Sequence, residues 1–256
     1  VDLLGRVADQ EAIAELAYAK GIAVLSDAAE SLGALRHGHP AGAFGDMAAV
    51  SFNGNKVMTT SGGGALLTDD QAVAERVRYL ATQARQPVVH YEHTEVGYNY
   101  RLSNLLAALG RAQLARLDSM LERRREIRGL YAALFAEVPG VAVFQESSAA
   151  EAHSRRRGET RDNCWLTAIL IDPDEAGFAA ADLIHALAEQ NIEARPLWKP
   201  MHLQPVYAAA RAYIDGTGEQ LFRTGVSLPS GSALSDADLA RVTEVIESFL
   251  AERRDG

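Results

Sequence analysis

The spacing of apolar residues changes several times along this 256-residue chain, and each change marks an element. Between Asp9 and Lys20, the apolar residues Ile13, Leu16 and Ala17 fall on one helical face, and Asp9 stands where an N-cap belongs. Gly21 ends that helix, and Ile22–Leu25 reads as a fully buried strand. Two further short apolar runs, Met47–Phe52 and Ala65–Leu67, enclose a polar stretch that holds Lys56 and the turn Thr-Thr-Ser-Gly-Gly-Gly. Asp69 or Asp70 can cap a helix running to about Thr82, with Val73, Val77 and Leu80 inward. A long polar segment follows, ATQARQPVVHYEHTEVGYNYRLSN, and loops of this length inside compact domains tend to be functional. From Ser103 to Val138 the pattern is almost wholly helical, with leucines at 105, 106, 109, 114, 117 and 121, until Pro139-Gly140 stops it.

The later part of the chain predicts strand, helix, strand and helix. Val141–Phe144 and Cys164–Ile171 read as strands, and Phe178–Gln190 as a helix. The proline- and aromatic-rich segment Ile192–Tyr207 reads as a rigid extended loop, because three prolines argue against a regular element. A short helix near Gly218–Phe222, a strand Val226–Leu228 and a helix Asp236–Glu252, capped by Ser235 or Asp236, complete the list. Ser147–Arg161 is polar and reads as a surface loop. Helices feeding strands in the first part predict an α/β fold with a mostly parallel sheet. The expected domains are 1–118 and a smaller α+β domain, 119–256.

Composition narrows the function. Hydrophobic residues make up 48% and charged residues 23%, with a net charge of -9, so no general attraction to nucleic acid or anionic membrane is expected. No apolar run approaches the ~20 residues of a membrane helix, and a cytoplasmic enzyme fits these features. The charge run ERRREIR reads as a solvated helix face. His37 and His39 lack a carboxylate or cysteine at ligand spacing, so no metal is expected. The single cysteine, Cys164, reads as core filler in a buried strand.

Candidate chemistry lies in two places. Lys56, in a small-residue turn between two apolar runs, is placed to be hidden from water, which favours a nucleophilic, imine-forming amine. Its rival reading is a surface lysine beside a β-hairpin. Asp27 follows the strand at Ile22–Leu25, at the carboxyl end where open α/β sheets bind ligands, though Asp is equally a common N-cap. An acid after one strand and a lysine after the next match the pattern of pyridoxal phosphate sites, with small Ala29 letting a flat ring lie against the backbone. Ser51 ends the strand before the lysine and can donate to an anion. Gly62–Gly64 is not a nucleotide-binding P-loop, since the GK[ST] ending is absent, and no G-x-G-x-x-G follows a strand.

The segments SDAAESLGA, GAFGD, SFNGNK, TTSGGG and GYNYRLSN together resemble the DegT/DnrJ/EryC1/StrS group of fold-type-I aminotransferases. RPLWKPMHLQPVY and ATQAR resemble its bacillosamine and exopolysaccharide branch most. The resemblance does not reach the family's beginning, so the chain is expected to lack such a protein's N-terminal part. It implies a fold-type-I pyridoxal phosphate-dependent transferase in which Lys56 and Asp27 are catalytic. Asp27, Ala29, Glu30, Ser51, Lys56 and Asn99 would hold the cofactor, Asn99 reaching the phosphate in the partner subunit of a homodimer. Tyr100, Arg101, Lys199 and His202 would bind substrate. Glu30 stands where relatives often carry Gln or His, which leaves its role open. The implied reaction moves an amino group from glutamate to a nucleotide-linked, UDP-type 4-keto-6-deoxy-N-acetylhexosamine. Two rivals stand beside it: a cofactor-free scaffold or regulatory member, and a sugar dehydratase, which Lys56 disfavours because those carry histidine there.

Overall fold

The computed structural model describes residues 1–144 and 160–254. Most of the expected loop Ser147–Arg161 therefore lies outside the described residues. The described chain divides into two compact units: Val1–Leu121 with the stretch that ends at Trp165, and a second that starts at Glu122 and resumes at Leu166.

In the first unit, helix α1 (Gln10–Tyr18) starts at Asp9, whose carboxylate accepts the Ala12 N–H at 3.4 Å. Strand β1 (Leu25–Asp27) follows, then a two-residue hairpin, β2 (Leu35–Arg36) with β3 (His39–Pro40). Strands β4 (Met47–Ser51) and β5 (Gly64–Leu67) complete a sheet of order β1-β4-β5. β1 runs parallel to β4, with Leu25 opposite Met47 and Asp27 opposite Ala49. The expectation of mostly parallel pairing needs a local correction, because β4 and β5 are antiparallel. Residues 52–63 join them without a helix, and a parallel return requires a crossover connection.

The first unit's apolar runs are less buried than their pattern suggests. Ile22 and Leu25 are 55% and 59% exposed, and the strand begins only at Leu25, so the expected buried strand Ile22–Leu25 is corrected. β1 is the edge of its sheet among the described residues. Leu16 of α1 is 69% exposed. That helix is anchored through its first residue: the Gln10 Nε2 donates to the buried Asp2 carboxylate at 3.2 Å and to Ser26 Oγ at 3.1 Å. Asp2 also accepts the Ala8 N–H and the Ser31 hydroxyl.

Helix α2 (Gln71–Ala81) is capped by Asp70, which accepts the Ala72 and Val73 N–H groups. Val73 and Leu80 are half-buried while Val77 is exposed, so only part of the expected inner face is covered. The long segment after α2 folds back on that helix. Tyr98 and Tyr100 donate backbone N–H groups to Leu80 and Ala81, and Arg76 pairs with both carboxylate oxygens of Glu95. Next come α3 (Asn104–Leu114), capped by Ser103, and α4 (Leu117–Phe135). The continuous helix expected from Ser103 is thus broken at Ala115–Arg116. There the Arg116 N–H bonds three residues back to Gln113, tightening the turn before α4 restarts with Met120 bonding to Arg116. A leucine repeat runs through such a break unchanged, because the repeat does not record the backbone bond.

The second unit contains β6 (Val141–Val143), β7 (Thr167–Ile171), α5 (Pro173–Ala176), α6 (Ala180–Glu189), β8 (Arg195–Pro196), α7 (Thr217–Thr224), β9 (Gly225–Leu228) and α8 (Asp236–Arg254). Its sheet is antiparallel throughout, in the order β6-β7-β9-β8. Ile127, Tyr131 and Phe135 of α4 join Ile169, Ile171, Leu183, Leu187, Val226, Ile246 and Phe249 in one core. Ser235 caps α8 by accepting the Asp238 N–H, and Asp238 accepts the Ser235 N–H in return, a reciprocal cap.

Two expectations for this region are corrected. The segment Ile192–Tyr207 does contain regular structure: a two-residue pairing at Arg195–Pro196 and 3-10 turns at Met201–Leu203 and Pro205–Tyr207. Pro196 is tolerated because β8 is an edge strand. The strand expected from Cys164 starts at Thr167 instead. Cys164 is buried but sits at a bend, with φ of 51°. Among the described residues no helix is long and apolar enough to cross a membrane, and no group of three metal-ligating side chains occurs. His37 Nδ1 lies 2.9 Å from Glu11, and His39 meets the edge of Phe44.

Candidate functional site

The chemistry-bearing residues of the first unit gather where β1 and β4 end. Because the two strands are parallel and in register through Asp27 and Ala49, their carboxyl ends lie side by side. Asp27 closes β1, and its carboxylate accepts the Ala29 N–H at 3.1 Å. Ser51 closes β4, where its hydroxyl oxygen accepts the Asn53 N–H at 3.2 Å, leaving the hydroxyl proton to be donated.

Beyond Ser51 the chain makes the loop that carries Lys56. Phe52 clamps its base, donating to the Gly63 carbonyl and accepting from Thr60, both at 2.9 Å. Gly63 adopts φ of +99°, and a Cβ on Gly64 would sit 2.4 Å from the Val50 carbonyl oxygen. The glycines, expected to let backbone pass close to the lysine, thus serve first to bring β5 back against β4. Lys56 is both beside a hairpin and hidden: 15% of its side chain is exposed. The hairpin of the rival reading is present, but its surface lysine is corrected, because the amine is largely hidden.

Glu30 supplies the counter-charge. Its Oε1 lies 3.7 Å from Lys56 Nζ, and its Oε2 accepts the Leu4 N–H at 2.8 Å. Burial raises the Glu30 carboxyl above the ordinary range; the Leu4 N–H and Lys56 work against that rise, and Asp27 adds to it. Asp27 and Lys56 thus both act on the Glu30 carboxyl, in opposite directions. On the far side of the amine, Nζ lies 4.1 Å from the centroid of the Trp165 ring.

The other expected site residues lie elsewhere. Asn99 pairs with Thr82 in an antiparallel bridge, Arg101 donates to the Thr82 hydroxyl at 3.4 Å, and Tyr100 stacks on Tyr98 at 5.1 Å. All of these are exposed. Lys199 and His202 belong to the second unit. Lys199 is exposed, and His202 Nε2 lies 2.9 Å from Glu219.

A pyridoxal phosphate group needs an amine for its aldehyde, an acid for its ring nitrogen, a small residue under its ring and donors for its phosphate. Lys56, Asp27, Ala29 and Ser51 present that donor set around one sheet end, so the residues fit the group. Sequence reading missed Trp165. A tryptophan before an apolar run reads as core, and its partner Asn55 is 110 residues away.

Comparison with known proteins identifies the family of the chain. The pattern that defines the DegT/DnrJ/EryC1/StrS aminotransferase family matches residues 1–247. EpsN of Bacillus subtilis is 45% identical over 250 residues, covering 96% of this chain and 61% of its own length. GDP-perosamine synthase of Escherichia coli O157:H7 is 32% identical over 253 residues, covering 99% and 65%. The crystal structure of the aminotransferase TlmJ from Streptoalloteichus hindustanus superposes with a TM-score of 0.85 at 25% identity, covering 98% and 64%. The chain thus spans somewhat less than two thirds of the length of these relatives. It shares with them the fold-type-I architecture, and it belongs to the DegT/DnrJ/EryC1/StrS aminotransferase family.

Proposed function

We propose that this chain carries the lysine-bearing part of a pyridoxal phosphate-dependent aminotransferase acting on nucleotide-linked sugars. One observation bears most of the weight: Lys56 is hidden in a hairpin loop at the carboxyl ends of parallel strands, with the Glu30 carboxylate 3.7 Å from its amine. Family membership and the names of the relatives support the same reading. EpsN carries a provisional name as a pyridoxal phosphate-dependent aminotransferase, and a second relative is named for a GDP-linked amino sugar.

The cofactor, when bound, withdraws electrons from the carbon that loses its proton. Lys56 Nζ would hold the cofactor and, once released, would take the proton from the donor's α-carbon and return it to the carbon on the other side of the transferred nitrogen. The Asp27 carboxylate would pair with the ring nitrogen and keep it protonated. Ala29 leaves room for the ring, and the Ser51 hydroxyl donates to the phosphate. Glu30, beside the amine, is the group that balances its charge before and after transfer. In this reading residues up to about 118 belong to the large cofactor domain and 119–256 to the small one.

The finer points follow the family resemblance. Glutamate is the donor, and the acceptor is a 4-keto-6-deoxy-N-acetylhexosamine carried on UDP, bound by Tyr100, Arg101, Lys199 and His202. Asn99 serves the phosphate site of a second copy, which makes the working enzyme a cytoplasmic homodimer. The exposed leucines of α3 (105, 109 and 114) and exposed Tyr98 and Tyr100 offer an apolar surface for that pairing.

Adding pyridoxal phosphate to the purified chain tests this directly. The expected result is a visible absorbance band that is lost in Lys56→Ala. Conversion of a 4-keto sugar nucleotide with glutamate, but not loss of a sugar hydroxyl, then separates the aminotransferase from a dehydratase. A folded chain that develops no band overturns the reading in favour of a cofactor-free scaffold.

A further inference from the structure

We propose that Trp165 is the residue that positions the Lys56 amine, holding it between an aromatic face and the Glu30 carboxylate. The inference rests on the reading above only in taking Lys56 as the reactive lysine. Trp165 is 2% exposed, so the ring face it turns to Lys56 is shielded from water. At 4.1 Å from the ring centroid, Nζ is well within the range in which an ammonium is attracted to an indole face, and shielding strengthens that attraction. The same side chain also fixes the backbone next to the lysine: the indole Nε1–H donates to the Asn55 carbonyl at 2.6 Å. One residue therefore sets both where the Lys56 side chain starts and where it ends.

Trp165 is itself held by Asn163. The Asn163 Oδ1 accepts the Trp165 N–H at 2.9 Å, while its Nδ2 donates to the carbonyls of Glu30 and Leu32 at 2.8 and 3.0 Å. The Asn163 N–H donates to Gly5. Between them, Cys164 takes a φ of 51°, a conformation that turns the indole out of line with the strand that follows. A buried indole N–H needs an acceptor in any case, but a tryptophan that merely filled space would need no ammonium on its face. The segment 163–165 thus ties the Glu30 turn to the Lys56 loop, and the amine rests where both reach it.

The chain has two tryptophans, Trp165 and Trp198, so Trp198→Phe leaves Trp165 as the sole indole emitter. In that background the emission maximum shifts in Lys56→Met, which removes the charge over the ring, and stays in place in Lys56→Arg, which keeps it. Cofactor capture supplies the second measurement. The pyridoxal phosphate concentration that half-develops the visible band rises about tenfold in Trp165→Leu and much less in Trp165→Phe, which keeps an aromatic face. Circular dichroism establishes that each variant is folded; if Trp165→Leu is not, the emission comparison decides alone. Emission indifferent to the charge at position 56 overturns the proposal, as does a folded Trp165→Leu protein that takes up cofactor as readily as the parent. A folded parent without any band, whose emission still responds to that charge, sinks the cofactor reading and leaves the positioning of the amine standing.

Discussion

In the second unit, α4, α6 and α8 bring Ile127, Tyr131, Leu183, Leu187 and Ile246 to full burial against β7 and β9. In the first unit, α2 and α3 contain no buried residue, and the one buried residue of α1 is the polar Gln10. The first unit has an apolar cluster of Val7, Ala34 and Ala41 with Phe44 against it, and it is held also by the sheet, by the Asp2 network and by backbone bonds that fold its long segments back on themselves. The contrast is instructive because the chemistry lies in the less apolar unit. Ammonium and carboxylate groups such as Lys56 and Glu30 are tolerated where polar partners surround them, and are excluded from a core like that of the second unit.

The sharpest way to break this comparison is to truncate matched leucines. Leu183→Ala, in the second unit, should lose about 2–5 kcal/mol of stability. Leu16→Ala, on the exposed face of α1, should change stability by less than about 0.5 kcal/mol. Each unit holds one tryptophan, so urea unfolding followed by emission in Trp165→Phe and Trp198→Phe backgrounds reports them separately. Equal losses for the two leucines would mean that the first unit has a core like the second.

A smaller loss is expected in the polar network. Asp2→Ala takes the acceptor from the Ala8 N–H and one acceptor each from Gln10 and Ser31, at a cost of roughly 1–3 kcal/mol seen in the Trp165 signal. Ser235→Ala removes the α8 cap, for about 1 kcal/mol in the Trp198 signal. The smallest effect concerns Glu30. Its folded-state carboxyl is raised by burial, so between its unfolded value near 4.5 and the raised one the native state binds more protons than the unfolded chain. Stability from this group is then full below about pH 4.5 and falls as pH rises through the raised value. Glu30→Gln should flatten that fall in urea midpoints collected across pH, and an unchanged slope would show that Glu30 titrates alike in both states.

Much of the site was legible because its signals are local. Asp27 follows an apolar run, Lys56 sits in a small-residue loop, and Asp9, Asp70, Ser103 and Ser235 stand directly before the helices they cap. The helix break at Ala115–Arg116 was not legible, since the leucine repeat continues across it. Nor was the exposure of Ile22, Leu25 and Leu16, because an apolar residue records that it favours burial and not whether anything arrives to cover it. Trp165 is the plainest case. Read in its own segment it is the start of a strand, and only the fold brings its indole to Asn55 and Lys56.

By itself, the order of residues determined the helix starts, the placing of an acid and an amine after successive strands, and the family to which the chain belongs. Each of these depends on neighbours within a few positions, or on motifs met in order, so no fold is needed to read them. Tertiary structure alone decided which apolar faces are covered, that β5 returns antiparallel, and that the Lys56 amine lies between Glu30 and an indole. Those outcomes depend on contacts between groups far apart in the chain, which form only when the backbone has closed around them.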